Sequence, residues 1–399
     1  MNGPPSDPLA WVADELKRLD DEGLRRPTRV CRVLPRGRVE IDGRELWNFG
    51  SNDYLGLASN AELATRRLGQ ASALEQIGTG ATASPAVVGR SPEIAELERT
   101  IAEFEGTEDA VVFPTGYAAN LGTVSALTGP GDAVFVERDC HACLVDGAKL
   151  GGGRLRVWRR GGLGDQAGLS RLDRELKKAA TARRRWILTE WTFSMDGDGE
   201  DSRQRVVDSA EKFDAVVIRD GAHKLCAGTW AHPRVVKTGT LSKAVGAAGG
   251  YTAGSRTLCD YLRHAAKSHL FSTALPPAIA AAATRNLRRI EAGHKLIQLM
   301  GKRCHRFRGA LRRGGLDARG DALCPIVPVL LGGPEAAVRA SARLADAGFF
   351  VPAIRPPTVP RGTSRLRISL SAAHPDEALA GLADALFHIL PSAPEKDAA

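Results

Sequence analysis

Lys243 stands alone among small residues in "TGTLSKAVGAAGG" (238–250), just after the apolar run "RVVK". A lysine amine attacks a carbonyl carbon only when neutral, and in that form it can hold a cofactor aldehyde as a Schiff base. Pyridoxal phosphate (PLP) is the common cofactor of this kind. Its site also needs a carboxylate for the pyridine nitrogen, donors for the phosphate and a group against the ring face. Each requirement has a candidate at the end of a strand-like run. Asp220 closes "DAVVIRD", and His223 follows in "DGAH" within reach of a ring hydroxyl. Thr115-Gly116-Tyr117 follows "DAVVF" and opens a helical window, where free backbone N–H groups attract a phosphate. Thr240 and Thr273, the latter in "FSTALPP", add hydroxyl donors. His141 in "ERDCHACLVDGAKL" lies just past "DAVFVE" and suits the ring face, and Ser194 in "TFSMDGD" is a further small donor after "RRWILTE". The spacing of Cys140 and Cys143 raises a zinc reading, but no second Cys/His pair lies nearby, so no metal site is expected.

Taken singly, each residue has a plainer explanation. Lys243 reads as a solvated loop lysine, Asp220 as a helix cap, His223 as a hydrogen-bonded core histidine and Arg367 as part of a strand-edge salt bridge. The pairing of Asp220 with Lys243, each at the end of its own strand, favours a shared site.

Such residues must be held along one edge of a sheet. Residues 8–25 carry a helical pattern, and "RVEIDGRELWNF" alternates around a DG turn as a hairpin does. After about residue 95, β-branched runs alternate with helical windows such as "SRLDRELKKAATA" and "RQRVVDSAEKF". That alternation predicts an α/β fold with a mostly parallel sheet covered on both faces, which binds ligands at the carboxyl ends of its strands. "GGYTAG" reads as a further strand of antiparallel sense. From residue 276 a long helical stretch runs to "ALRRGG". Strands "CPIVPVLL", "FFVPAI" and "RLRISLS" and two helices then form a compact α+β unit. The expected division is an N-terminal arm (1–48), a large cofactor-binding domain (49–285) and a small C-terminal domain (286–399).

The chain has 399 residues, 43% hydrophobic and 25% charged, an ordinary soluble globular balance. The net charge of +9 fits an acidic ligand such as a phosphate-bearing thioester. Without a dense Lys/Arg block interleaved with aromatics, no nucleic-acid partner is expected. No apolar run approaches the roughly 20 residues of a membrane helix, and the start lacks a basic-then-apolar leader pattern, so no membrane association and a cytoplasmic location are expected. The seven cysteines are scattered, as reduced thiols would be.

The blocks "SNDYLGLA", "FPTGYAAN", "FSMDGDG", "GTLSKAVGAAGG", "FSTALPP" and "AIRPPTVPRGTSRLRISLSAAH" occur in that order. Through them most of the chain resembles the α-oxoamine synthases, a group of fold-type I PLP enzymes. The resemblance implies a large domain with a mostly parallel seven-stranded sheet and a small α+β domain. It implies a homodimer with the active site at the interface. It makes Lys243 the Schiff-base lysine and the base for the α-proton, Asp220 the partner of the pyridinium nitrogen, His223 the contact of the ring oxygen and His141 the residue stacked on the ring. Gly116 and Tyr117 would hold the phosphate, aided by Thr240 and by Thr273 from the other subunit. Asn52 and Arg367 would bind the substrate carboxylate, and Arg32 in the arm would contact the acyl-CoA. Within the family, "FSTALPP" and "AIRPPTVP" look most like the members that join L-alanine to a pimeloyl thioester, carried on CoA or on a carrier protein, with loss of CO2.

The chain also departs from the family pattern. It has Gly221 where a glutamate is usual, "CHAC" for "NHAS", Pro85 for an arginine, Ile94 for a histidine, and a short loop after His223. These leave open the same chemistry on another amino acid and acyl chain, or a non-catalytic member with a binding or regulatory role.

Overall fold

The computed structural model describes residues 7–26, 28–58, 79–159, 166–199, 203–225 and 232–390. Most of the short loop after His223 lies outside them. After a helix at Trp11–Asp21, the arm forms strands β1 (Cys31–Leu34), β2 (Arg38–Ile41) and β3 (Arg44–Asn48). Asp42 and Gly43 join β2 to β3 with φ of 51° and 78°. Positive φ at both central residues is what a tight hairpin of right-handed strands requires, and a DG pair supplies it at low cost.

The large sheet contains β4 (Asp109–Phe113), β5 (Ala133–Glu137), β6 (Arg154–Trp158), β7 (Arg185–Glu190), β8 (Val216–Asp220), β9 (Val235–Thr240) and β10 (Gly250–Gly254). Their order across the sheet is β4-β10-β9-β8-β7-β5-β6. β10 runs antiparallel to both its neighbours, and the pairs from β9 to β6 are parallel. Both faces are apolar, as a sheet covered by helices on each side demands. Phe135, Ile187 and Val217 point to one face and meet Leu172, Leu176 and Val207 of helices Gln166–Lys178 and Arg203–Lys212. Val134, Leu188 and Ile218 point to the other and meet Val124 and Leu144 of helices Gly116–Leu127 and Ala142–Gly151.

Two stretches differ from the sequence reading. The long helix after residue 276 is two helices, Pro277–Ala292 and His294–Arg313, because the chain turns at Gly293. A Cβ there would stand 2.6 Å from the Arg289 carbonyl oxygen. "FFVPAI" is two short strands in different sheets. β12 (Phe349–Phe350) runs parallel to β3 in the arm sheet, whereas β13 (Ala353–Ile354) pairs with β14 (Ser364–Ser369), itself antiparallel to β11 (Ile326–Gly332). Pro352 separates them. It has no N–H to continue a ladder, while its carbonyl accepts the Arg367 N–H at 3.1 Å. The C-terminal unit is thereby woven into the arm, and one apolar cluster runs through Phe49, Ile101, Leu241, Leu287, Ile326 and Leu382.

His374 fastens this junction. It is 1% exposed, stacks on Phe49 at 4.1 Å, lies 3.1 Å from the Asn48 carbonyl through Nε2 and accepts the Ser371 N–H at Nδ1. Gly37 makes room for it, since a Cβ there would reach the ring at 2.4 Å. Burial lowers the His374 pKa to about 4. The unfolded chain therefore binds this proton more readily. The stability contributed by neutral His374 is complete above about pH 6.5 and is lost as pH falls toward 4, on the order of 3 kcal/mol in all. Chemical denaturation across that window should show the loss, and His374→Asn should flatten it.

Candidate active site

Helix Gly116–Leu127 starts directly beyond β4. Its cap is Thr115, whose Oγ1 accepts the Ala118 N–H at 3.0 Å. The N–H groups of Gly116 and Tyr117 begin the helix, where no intrahelical carbonyl can serve them. Glycine is required here by close approach. A Cβ on Gly116 would lie 2.8 Å from the Thr240 Cβ, and one on Gly250 would lie 2.5 Å from the Gly116 Cα. The helix start, the end of β9 and the start of β10 thus meet at backbone distance. Thr240 Oγ1 donates to the Gly249 carbonyl at 3.1 Å and lies 2.8 Å from Ser242 Oγ.

From this corner a cavity of about 200 Å³ extends along the carboxyl ends of the strands. Asp220, the last residue of β8, is buried at its floor. It accepts the Asn120 Nδ2–H at 2.7 Å and the Ala222 N–H at 2.9 Å. Glu190, the last residue of β7, is its register partner across the ladder and accepts the His141 N–H at 2.5 Å. Burial, and next the neighbouring Asp220, push the Glu190 pKa up.

Lys243 Nζ lies 3.0 Å from His223 Nε2. Burial lowers the lysine pKa, against the opposing pull of Asp220 and Glu190. His223 is held well below the usual imidazole range, by burial first and by Lys243 second. Its Nδ1 is 2.6 Å from the hydroxyl of Tyr54, whose pKa burial raises to about 12. Arg367 on β14 completes the chain. It donates from Nη2 to the Tyr54 hydroxyl and from Nη1 and Nη2 to Asn52 Oδ1, each at 3.3 Å, and from Nε to the Ser194 carbonyl at 2.6 Å. A continuous polar path therefore joins the lysine to an arginine of the C-terminal unit. His141 caps helix Ala142–Gly151, is exposed to solvent and meets the Tyr117 ring edge-on at 6.2 Å. Burial lowers its pKa.

Gly116, Tyr117, His141, Asp220, His223, Thr240 and Lys243 line one cavity. The Tyr117 side chain leaves it, donating to Asp146 at 2.6 Å. Asn52 and Arg367 reach the cavity through Tyr54 and His223, and Ser194 takes part through its carbonyl. Thr273 is exposed and does not line the cavity of its own chain. Arg32 is exposed on β1 and pairs with Glu40 at 3.5 Å. Pro85 opens a short π-helical turn, Pro85–Gly89, and Ile94 is a core residue in the first turn of helix Pro92–Glu105. Gly221 donates its N–H to the Thr238 carbonyl at 2.7 Å, and a Cβ there would stand 3.2 Å from that oxygen.

Tyr54, Asn120 and Glu190 were not among the sequence candidates, and Cys143 was read only as half of a discounted zinc pair. Asn120 follows Gly116 by one helical turn and so shares its face. Glu190 ends the strand beside the one that Asp220 ends, which marked it as an edge residue.

The residue set fits PLP. It offers a helix start that only glycine can occupy, a buried carboxylate opposite it, an imidazole beside the cavity and a lysine whose burial favours the neutral amine.

The family model for aminotransferase class I and II matches residues 44–386. The chain is 42% identical to the 8-amino-7-oxononanoate synthase of Maricaulis maris, over 96% of this chain and 96% of that one. It is 41% identical to the enzyme of the same name from Methylorubrum populi, over 97% and 96%. Its structure matches that of serine palmitoyltransferase (SPT) with a PLP internal aldimine at a TM-score of 0.85 and 27% identity, covering 96% of this chain and 98% of the other.

Proposed function

The chain belongs to the aminotransferase class I and II family, and from that premise we propose that it is a PLP-dependent C-acyltransferase of the 8-amino-7-oxononanoate synthase type. It condenses an amino acid with an acyl thioester, releasing the thiol and CO2. When bound, PLP supplies an electron sink for negative charge at the amino acid's α-carbon.

In this reading Lys243 would hold the cofactor through its amine and would take the α-proton. Both tasks need the neutral form, which burial favours. Asp220 would hold the pyridine nitrogen, His223 the ring oxygen and His141 the ring face. The Gly116 and Tyr117 N–H groups and the Thr240 hydroxyl would take the phosphate, whose charge suits a helix start. Arg367, held by Asn52, Tyr54 and the Ser194 carbonyl, would receive the substrate carboxylate as a charge-assisted pair. Thr273 serves the site of a second copy in a homodimer, and Arg32 meets the acyl-CoA. The substrates are L-alanine and a pimeloyl thioester on CoA or a carrier protein, and the product is 8-amino-7-oxononanoate. The reaction takes place in the cytoplasm. Among the described residues no helix is long and apolar enough to cross a membrane.

The observation that carries this reading is the half-buried Lys243 sharing one cavity with Asp220 and the glycine-tight helix start. The test mixes the purified PLP-loaded chain with pimeloyl-CoA and, in turn, alanine, glycine and serine, and follows free thiol and CO2. Equimolar release with alanine is expected. Release with glycine or serine alone moves the assignment to another substrate pair, and no release with any amino acid and several acyl-CoA chain lengths overturns it.

A further inference from the structure

His141 Nδ1 is approached by two groups of a single residue. The Cys143 backbone N–H reaches it at 3.3 Å, and Cys143 Sγ lies 2.9 Å away. The sulfur is itself 3.2 Å from Asn120 Nδ2, which also donates to Asp220 Oδ2 at 2.7 Å. Asn120 has its amide fixed from the other side, because Oδ1 accepts the Thr238 hydroxyl at 2.5 Å. Sulfur therefore accepts on the Asn120 side and has its S–H to give to the imidazole. Cys140 takes no part, since its Sγ turns to the Leu188 carbonyl at 3.7 Å.

An Nδ1 that accepts from two donors carries no proton, so the proton of the neutral ring sits on Nε2. We propose that Cys143, oriented by Asn120, is a positioning residue that keeps His141 as the Nε2–H tautomer and ties the ring to the hydrogen-bond network of Asp220. His141 then offers a donor at Nε2, suited to a carbonyl or carboxylate oxygen of a substrate. Burial pushes the Cys143 thiol up to about 12, which keeps the S–H in place at neutral pH. Only the consequence for turnover rests on the C-acyltransferase reading, and the tautomer does not.

The test is a long-range ¹H–¹⁵N correlation on the PLP-loaded chain labelled with ¹⁵N-histidine, with His141 assigned by the signal missing from His141→Gln. The wild type should show an unprotonated Nδ1. Cys143→Ala removes the sulfur at 2.9 Å and leaves only the backbone N–H at 3.3 Å, so it should move part of the population to the Nδ1–H tautomer, and Cys143→Ser, which keeps a side-chain donor, should restore a single tautomer. In the thiol-release assay Cys143→Ala should lower kcat about tenfold at unchanged cofactor occupancy, and Cys143→Ser should stay within about twofold, since general acid–base groups contribute roughly 10²–10⁴ in full. A protonated Nδ1 in the wild type, or a Cys143→Ala spectrum identical to the wild type, overturns the proposal. A wild type that shows the expected tautomer but releases no thiol removes the functional reading and leaves this one standing.

Discussion

Replacing Lys243 with alanine should lower condensation activity by at least about 10³-fold, because one side chain is both the covalent anchor and the base. Among the described residues that line the cavity, Lys243 is the only lysine. The described lysines closest to it in the sequence are committed elsewhere. Lys224 pairs with buried Glu105 at 2.8 Å, and Lys237 donates to the Glu105 carbonyl at 2.5 Å. Neither can take over the amine. Borohydride reduction of the PLP-loaded wild type, followed by peptide mass spectrometry, should place a phosphopyridoxyl group on Lys243, and the alanine variant should carry none. The fold should survive, since a loop side chain with one polar contact to His223 is removed from the cavity wall. An added small amine such as ethylamine should restore part of the proton transfer. Wild-type-like turnover in Lys243→Ala would remove the assignment.

Asp220→Asn should cost about 10²–10³ in kcat, in the range of removing one preorganised electrostatic contact from an active site. The substitution keeps the shape, and the Asn120 contact survives at one oxygen. What goes is the negative charge that would favour a protonated pyridine nitrogen. An amide that turns its Nδ2 inward meets Asn120 Nδ2 or the Ala222 N–H, donor against donor. Cofactor retention should therefore fall as well. Absorbance titration with PLP measures that loss separately from turnover in the thiol assay. If Asp220→Asn keeps both within about twofold of the wild type, the carboxylate has no such role.

Much of the site was legible because its residue types stand at strand ends, where β-branched runs stop and helical windows begin. Asp220, Lys243, Gly116 and His141 all follow such boundaries. Glu190 stands at an equivalent boundary, yet it reads as the polar end of a strand until β7 and β8 are set side by side. Tyr54 lies inside a recognisable block but shows nothing locally of its bridge from His223 to Arg367. The departures from the family pattern gained meaning only in three dimensions. Ile94 is apolar core, and Cys143 Sγ lies 2.9 Å from His141 Nδ1.

The sequence by itself determined the alternation of strands and helices through the large domain, the DG hairpin, the two-faced parallel sheet and the residue types that a PLP site requires. Those features depend on neighbours a few positions away, through side-chain periodicity and allowed backbone angles. Tertiary structure alone decided which polar groups meet. Asn120 and Asp220 are 100 positions apart, and Arg367 and Tyr54 are 313 apart. Such contacts depend on strand order, on register and on the transfer of the chain between sheets at Pro352, and no local pattern encodes a distance between strands that the chain visits out of order.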